Sequence, residues 1–430
     1  MRFHRHFLAA PRAAFALLLA AAAFLSGCSS NKLLQPMPKP LSRVTLSPHV
    51  DTLAVFGQRQ FVATAYDTLN VATGGVAIEW HSNDPAVCII DNTGFATAVG
   101  EGSALIIASA SGKSDTARVY VKSGMQGWYT QVGATAQDLN GVYFLADGHT
   151  GFAVGTLGTM VMTTNAGADW TPRSSGTGVD LASVWFSDAA TGWAVGIAGT
   201  LVKTTNAGAT WAQQANLATT ANLRCVRFVD ARHGWIVGGG GGVSGGFVAR
   251  TSDGGVTWTT LARGASILHG VAFADTLNGW AVGDGVVYGT RDGGVSWYLV
   301  QPSLTAQPLR GVARVGATPL GDAQAWAAGG GGSIATAATT VDSLAWSLST
   351  LGANYQLNAI HMVSATTGWI VGSNLGIGII LATTDGGATW TPQTVSSDLA
   401  LNGICFVDGL RGWAVGAGGR IVHTSTAGAP

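Results

Sequence analysis

Thr251-Ser252-Asp253-Gly254-Gly255-Val256-Thr257-Trp258 reads as a tight turn followed by the start of a strand. The aspartate is placed to accept backbone hydrogen bonds, the glycines can take positive φ, and the tryptophan opens the next strand while burying its ring. The unit recurs at Asp292 to Trp297 and Asp385 to Trp390. Asparagine replaces the aspartate at Asn165 to Trp170 and Asn206 to Trp211, and the unit decays around Thr339 to Trp346. Outward from each copy lies a longer repeat. A leucine opens an inner strand at Leu139, Leu181, Leu223, Leu268, Leu309, Leu357 and Leu401, a mean spacing of about 44 residues. A Gly or Ala and then an aromatic residue open the second strand, at Phe152, Trp193, Trp235, Trp280, Trp326, Trp369 and Trp413. Self-similarity at this period marks a propeller or a solenoid, and rings so placed are expected to pack between neighbouring repeats.

The ends of the array argue for a closed ring. The seventh repeat runs through Thr424-Ser425-Thr426-Ala427-Gly428 and stops where a tryptophan and an outer strand should follow. Gly127-Trp128-Tyr129-Thr130-Gln131 supplies that missing piece, so an N-terminal strand is expected to complete the last blade and remove an open edge. The fold class expected is all-β: an N-terminal immunoglobulin-like β-sandwich over residues 41–123, then a seven-bladed β-propeller over residues 125–430. Composition agrees, because 62 glycines, 15 tryptophans and only 10% charged residues suit short, turn-dense strands and not amphipathic helices.

The first residues address the chain to a compartment. Arg2, Arg5 and Arg12 form a basic start, and Ala13 to Phe24 form an apolar run too short to span a bilayer. It ends in Leu25-Ser26-Gly27-Cys28, which resembles the bacterial lipobox. Residues 1–27 are therefore expected to be a lipoprotein signal peptide, with Cys28 the lipidated N-terminus and membrane anchor. Ser29 follows in place of aspartate, which by resemblance to Gram-negative lipoproteins points to the outer membrane, on its periplasmic or its surface face. Residues 28–40, with Pro36, Pro38 and Pro40, read as a stiff tether. Without residues 1–27 the chain carries 19 basic and 22 acidic side chains, which argues against nucleic acid as a partner. Cys88, Cys225 and Cys405 are an odd set for an oxidising compartment and fit no metal-ligand spacing, so they are expected to be buried and unpaired.

Three resemblances follow from these residues. The repeated Asp-Gly-Gly-x-Thr-Trp unit is similar to the Asp-box (BNR repeat) of sialidases and related glycosidases, where it lies away from the chemistry. Trp80 to Val87 with Asp91 to Gly102 resembles the group 2 bacterial immunoglobulin-like domain. In that reading Trp80 fills the space between two sheets, Gly94 sits in a hairpin turn, and Gly100 with Gly102 allows the next tight turn. Such domains serve as spacers or adhesive modules. Residues 125–430, through Gly-Trp-Ala-Val-Gly and the Asp-box, resemble the photosystem II assembly and stability factor family. That resemblance implies a non-enzymatic propeller that docks a membrane protein through an arginine-rich surface. The 11 arginines of the propeller do not align to that surface, so only a binding or assembly scaffold carries across, with a photosynthetic role left open.

A glycoside hydrolase, or a glycan-binding surface adhesin, is the alternative. Glutamate occurs only at Glu79 and Glu101, before the repeats, so the propeller has no glutamate to act as general acid or to activate a tyrosine nucleophile. Aspartate numbers 15 there, but several belong to Asp-boxes or to turns such as Asp188, Asp230 and Asp408. No catalytic residue is expected. The ligand-binding candidates lie at the channel mouth, just after each leading leucine: Asn140, Arg224, His269, Arg310, Asn358 and Asn402, with Ala182 completing the ring. They make a polar, partly cationic ring that can receive a carboxylate or a peptide loop. The other reading is that they only satisfy backbone groups at strand ends and hold channel water. Next come Gly141, Ser183, Cys225, Gly270, Gly311, Ala359 and Gly403, small enough for a crowded axis. The histidines show no metal-ligand spacing, and the Gly239 to Gly246 run lacks the lysine and helix of a phosphate loop. Neither metal nor cofactor is expected. The partner is expected to be an envelope protein or glycan, and the protein a monomer.

Overall fold

The computed structural model describes residues 40–54, 57–122, 127–261, 266–301, 304–316, 324–340, 343–395 and 397–429. The expected signal peptide, the anchor Cys28 and residues 29–39 of the tether lie outside the described residues. Helix among the described residues is confined to single 3-10 turns at Thr156–Gly158 and Ala417–Gly419.

The repeats form seven four-stranded antiparallel sheets, the first six with their strands in chain order. Their first strands are Leu139–Phe144, Leu181–Phe186, Leu223–Phe228, Leu268–Phe273, Leu309–Val315, Tyr355–Met362 and Leu401–Phe406, which number the sheets one to seven. Each first strand packs against those before and after it, and that of sheet seven packs against that of sheet one. Sheet seven takes its fourth strand from the other end of the array. Tyr129–Gln131 pairs antiparallel with Ile421–Thr424, Tyr129 opposite His423.

The aromatic that opens each second strand stacks on the phenylalanine that ends the first strand of the next sheet. Trp235 lies 3.5 Å from Phe273, Trp193 3.9 Å from Phe228, Phe152 4.4 Å from Phe186, Trp369 3.6 Å from Phe406, and Trp413 3.6 Å from Phe144 across the closure. Such pairs add about 0.5–1.5 kcal/mol each beyond the area they bury. A glycine faces each such phenylalanine within its own sheet. A Cβ at Gly412, for example, would overlap the Phe406 ring. Sheets five and six depart from the pattern, with Arg314 and Met362 at the phenylalanine position.

The Asp-box turns repeat one geometry. The Thr251 hydroxyl donates to Asp253 Oδ1 at 2.7 Å and accepts from Gly255 N at 2.9 Å, while Thr257 N and Oγ1 donate to the carboxylate at 2.9 and 2.6 Å. Those donors, the Thr257 hydroxyl foremost, hold Asp253 down at about 2. The turns also staple sheets together. The indole Nε1 of Trp235 donates to Gly293 O, that of Trp326 to Gly386 O and that of Trp413 to Ala166 O, at 2.8, 2.7 and 3.0 Å. Each acceptor belongs to the turn of the next sheet.

Before the ring, strands over residues 41–122 form one four-stranded, one three-stranded and one two-stranded sheet around a shared core that includes Leu46, Phe61, Ala96, Ile106 and Val119. Gly94 takes φ +82° in its turn, as expected. Trp80, on the edge strand Glu79–Ser82 of the four-stranded sheet, is partly buried and packs against that core, its ring beside Gly94 in the hairpin of the three-stranded sheet. Arg59 ties this unit to sheet one, with Nε 2.9 Å from Asp51 Oδ2 and an Nη 3.0 Å from Asp169 Oδ2. The Phe95 ring meets His149 edge-on at 4.5 Å. Cys88, Cys225 and Cys405 are free and buried.

Candidate functional site at the channel mouth

Every first strand carries an irregularity in the same place. Pairing with the second strand slips between Leu139 and Gly141, Leu181 and Ser183, Leu223 and Cys225, Leu268 and Gly270, Leu309 and Gly311, Leu357 and Ala359, and Leu401 and Gly403. The residue skipped each time is one of the seven of the expected ring. A bulge leaves its extra residue out of the ladder and re-aims the side chain. All six candidates, Asn140, Arg224, His269, Arg310, Asn358 and Asn402, thereby line a single cavity of about 130 Å³. The small residues that follow let neighbouring first strands approach closely. A Cβ on Gly403 would come within 3.1 Å of Asn140 O and 3.2 Å of Gly141 Cα in the next sheet.

The six do not behave alike. Asn358 Nδ2 donates to Leu401 O at 2.9 Å, Asn402 Nδ2 to Leu139 O at 3.0 Å, and Asn140 Nδ2 to Leu181 O at 2.9 Å. Each amide thus satisfies the leading leucine of the next sheet. Arg310 donates to Asn358 Oδ1 at 3.0 Å, and His269 Nε2 lies 2.7 Å from Asp284 Oδ1. Arg224 is exposed and has no ion-pair partner among the described residues. Burial depresses the pKa of His269, the Asp284 hydrogen bond opposing and the Arg224 and Arg310 charges adding to the shift. Burial also lowers that of Arg310, with Arg224 repelling it. None of the residues lining the cavity is a carboxylate.

Two basic lining residues were not among the candidates: Arg227 and His361. Both occupy the fourth position after a leading leucine, opposite Trp235 and Trp369. The signal was in the alignment, since that column reads Tyr143, Trp185, Arg227, Ala272, Ala313, His361 and Cys405. Burial, then the Arg227 charge, pushes His361 down to about 4. Among the described residues no three His, Cys, Asp or Glu side chains converge as metal ligands.

Fold and site together define a β-propeller with a polar, partly cationic channel mouth. The model of the family described as "Photosynthesis system II assembly factor YCF48" matches residues 338–430. A solved structure of YCF48 bound to D1 peptide is similar at 21% identity and TM-score 0.56, covering 70% of this chain and 95% of that one. YCF48 from Cyanidioschyzon merolae is similar at 20% and 0.56, covering 69% and 98%. The GH74 xyloglucanase from Xanthomonas campestris is similar at 14% and 0.53, covering 70% of this chain and 54% of that one. At these identities the likeness is one of fold. No curated protein sequence matches the chain.

Proposed function

We propose that this chain is an exported, lipid-anchored, non-catalytic scaffold of the cell envelope whose propeller binds a protein partner at the channel mouth. In this reading the seven sheets are the blades of one closed propeller. Residues 41–123 are a group 2 immunoglobulin-like spacer, and Cys28 is the anchor in the outer membrane. The observation that carries it is the arc of Arg224, His269 and Arg310, three consecutive bulge positions facing a cavity that no carboxylate lines. Guanidinium forks suit the carboxylates of a polypeptide. The match to an assembly-factor family model and the likeness to a propeller that binds a D1 peptide support a polypeptide ligand. The absence of a lining acid, and the use of Asp188, Asp230 and Asp408 to accept turn amides, argue against glycosidase chemistry.

The test is in-cell crosslinking and mass spectrometry of the tagged protein, comparing wild type with Arg224→Ala, His269→Ala and Arg310→Ala combined. Loss of a specific partner in the variant upholds the reading. A partner set that survives unchanged moves binding to another face and overturns it. Turnover of a glycan panel by the purified protein would overturn the non-catalytic assignment.

A further inference from the structure

Arg227 stands deeper in the same channel and belongs to no ion pair. Its guanidinium lies over the Trp185 ring at 4.7 Å and makes one hydrogen bond, from an Nη to Val226 O at 3.0 Å. No carboxylate contacts it among the described residues. Arg224 and Arg310 line the same cavity without an ion pair among the described residues, and Asp284, bonded to His269, is the nearby carboxylate whose charge favours Arg310. Three guanidiniums therefore share about 130 Å³ without a counter-charge lining it, in a chain whose formal net charge is zero. Like charges so close repel, and an anion placed among them relieves that repulsion. Burial first, and then the neighbouring guanidinium, lowers the pKa of Arg310 beside Arg224 and of His361 beside Arg227.

We propose that the channel is an oxoanion site centred on Arg227, sized for a carboxylate or phosphate group and held from above by Arg224 and Arg310. A cavity of this volume accommodates one such group with little water. Trp185, on the face of the Arg227 fork, fixes the plane in which two parallel N–H donors meet the oxygens. His361, neutral well above a pKa of about 4, supplies a ring nitrogen and not a competing charge. The site uses the channel of the proposed partner interface, but its occupancy does not depend on a partner.

The experiment uses the full chain in detergent, titrated separately with inorganic phosphate and with acetate at constant ionic strength. Tryptophan fluorescence and the thermal midpoint are the readouts. A saturable response in wild type is expected, with affinity at least tenfold weaker in Arg227→Gln and intermediate in Arg227→Lys, which keeps the charge and loses the fork. Arg411→Gln, remote from the channel and paired to Asp408, should match wild type. Absence of saturation with both anions overturns the site, as does equal affinity in wild type and both Arg227 variants. If the glutamine variant does not fold, the lysine variant decides. Crosslinking of the same variants keeps the two proposals apart. A partner retained in Arg227→Gln while the anion response disappears leaves the scaffold reading standing, and a partner lost in the mouth triple variant, with anion binding weakened but still saturable through Arg227, upholds both.

Discussion

Asn358, Asn402 and Asn140 on sheets six, seven and one occupy the same bulge as Arg224, His269 and Arg310 on sheets three, four and five. The amides reach across to the leading carbonyl of the next sheet and hold the ring together. The other arc leaves those carbonyls alone: Arg224 has no ion-pair partner among the described residues, His269 pairs with Asp284, and Arg310 caps the last amide at the boundary. Ala182 separates the arcs on the other side. One backbone device thus serves cohesion or recognition according to side-chain length and charge: an asparagine is short enough to bond at the strand end, whereas an arginine carries its donors past it.

The comparison breaks most easily from the amide side. Replacing Asn140, Asn358 and Asn402 together by alanine strands three strand-end carbonyls, at about 1–3 kcal/mol each. The urea midpoint should fall steeply while the crosslinked partner set stays as in wild type. An unchanged midpoint would show that the amides do not staple the ring.

Acid sharpens the contrast by adding a charge to the neutral side. The folded pKa of His361 is depressed to about 4 from an ordinary 6.5, so the unfolded chain binds the proton more readily. Its neutral form costs nothing above pH 6.5, and stability is then lost progressively as pH falls through the window from 6.5 to 4, by roughly 3 kcal/mol in all. Urea denaturation across that window should show a shallower decline in His361→Asn than in wild type. His423, also depressed to about 4 by burial, and His149 and His269, lowered by burial, contribute to the decline that remains.

The smallest expected effect is on stability in Arg224→Ala. An exposed arginine without a partner should change the unfolding free energy by no more than about 0.5 kcal/mol. A loss comparable to that of an amide variant would erase the division between arcs.

Much of this was legible from residue patterns. Six of the seven first strands begin at the leading leucine, and the third, Asp-box-bearing strands end at the threonine the turn requires, as at Thr251 and Thr383. The bulges were not legible, because no residue type demands them; the ring residues were found by their column and not by the geometry that exposes them. Arg227 escaped because strand alternation assigns it to a sheet face, and only its position between sheets turns that face into a channel wall.

The closing strand also sets an order in time. Sheets one to six form from consecutive hairpins and can assemble as they are synthesised, but Tyr129–Gln131 must wait for Ile421–Thr424, the last strand of the array. Until then the first sheet of the ring has no neighbour on one side, and Phe144 lacks the Trp413 ring that covers it. Joining strands so distant along the chain carries the largest loop entropy of any pairing in the ring. Completion therefore follows every other sheet, and an array without Ile421–Thr424 would be left with an open edge.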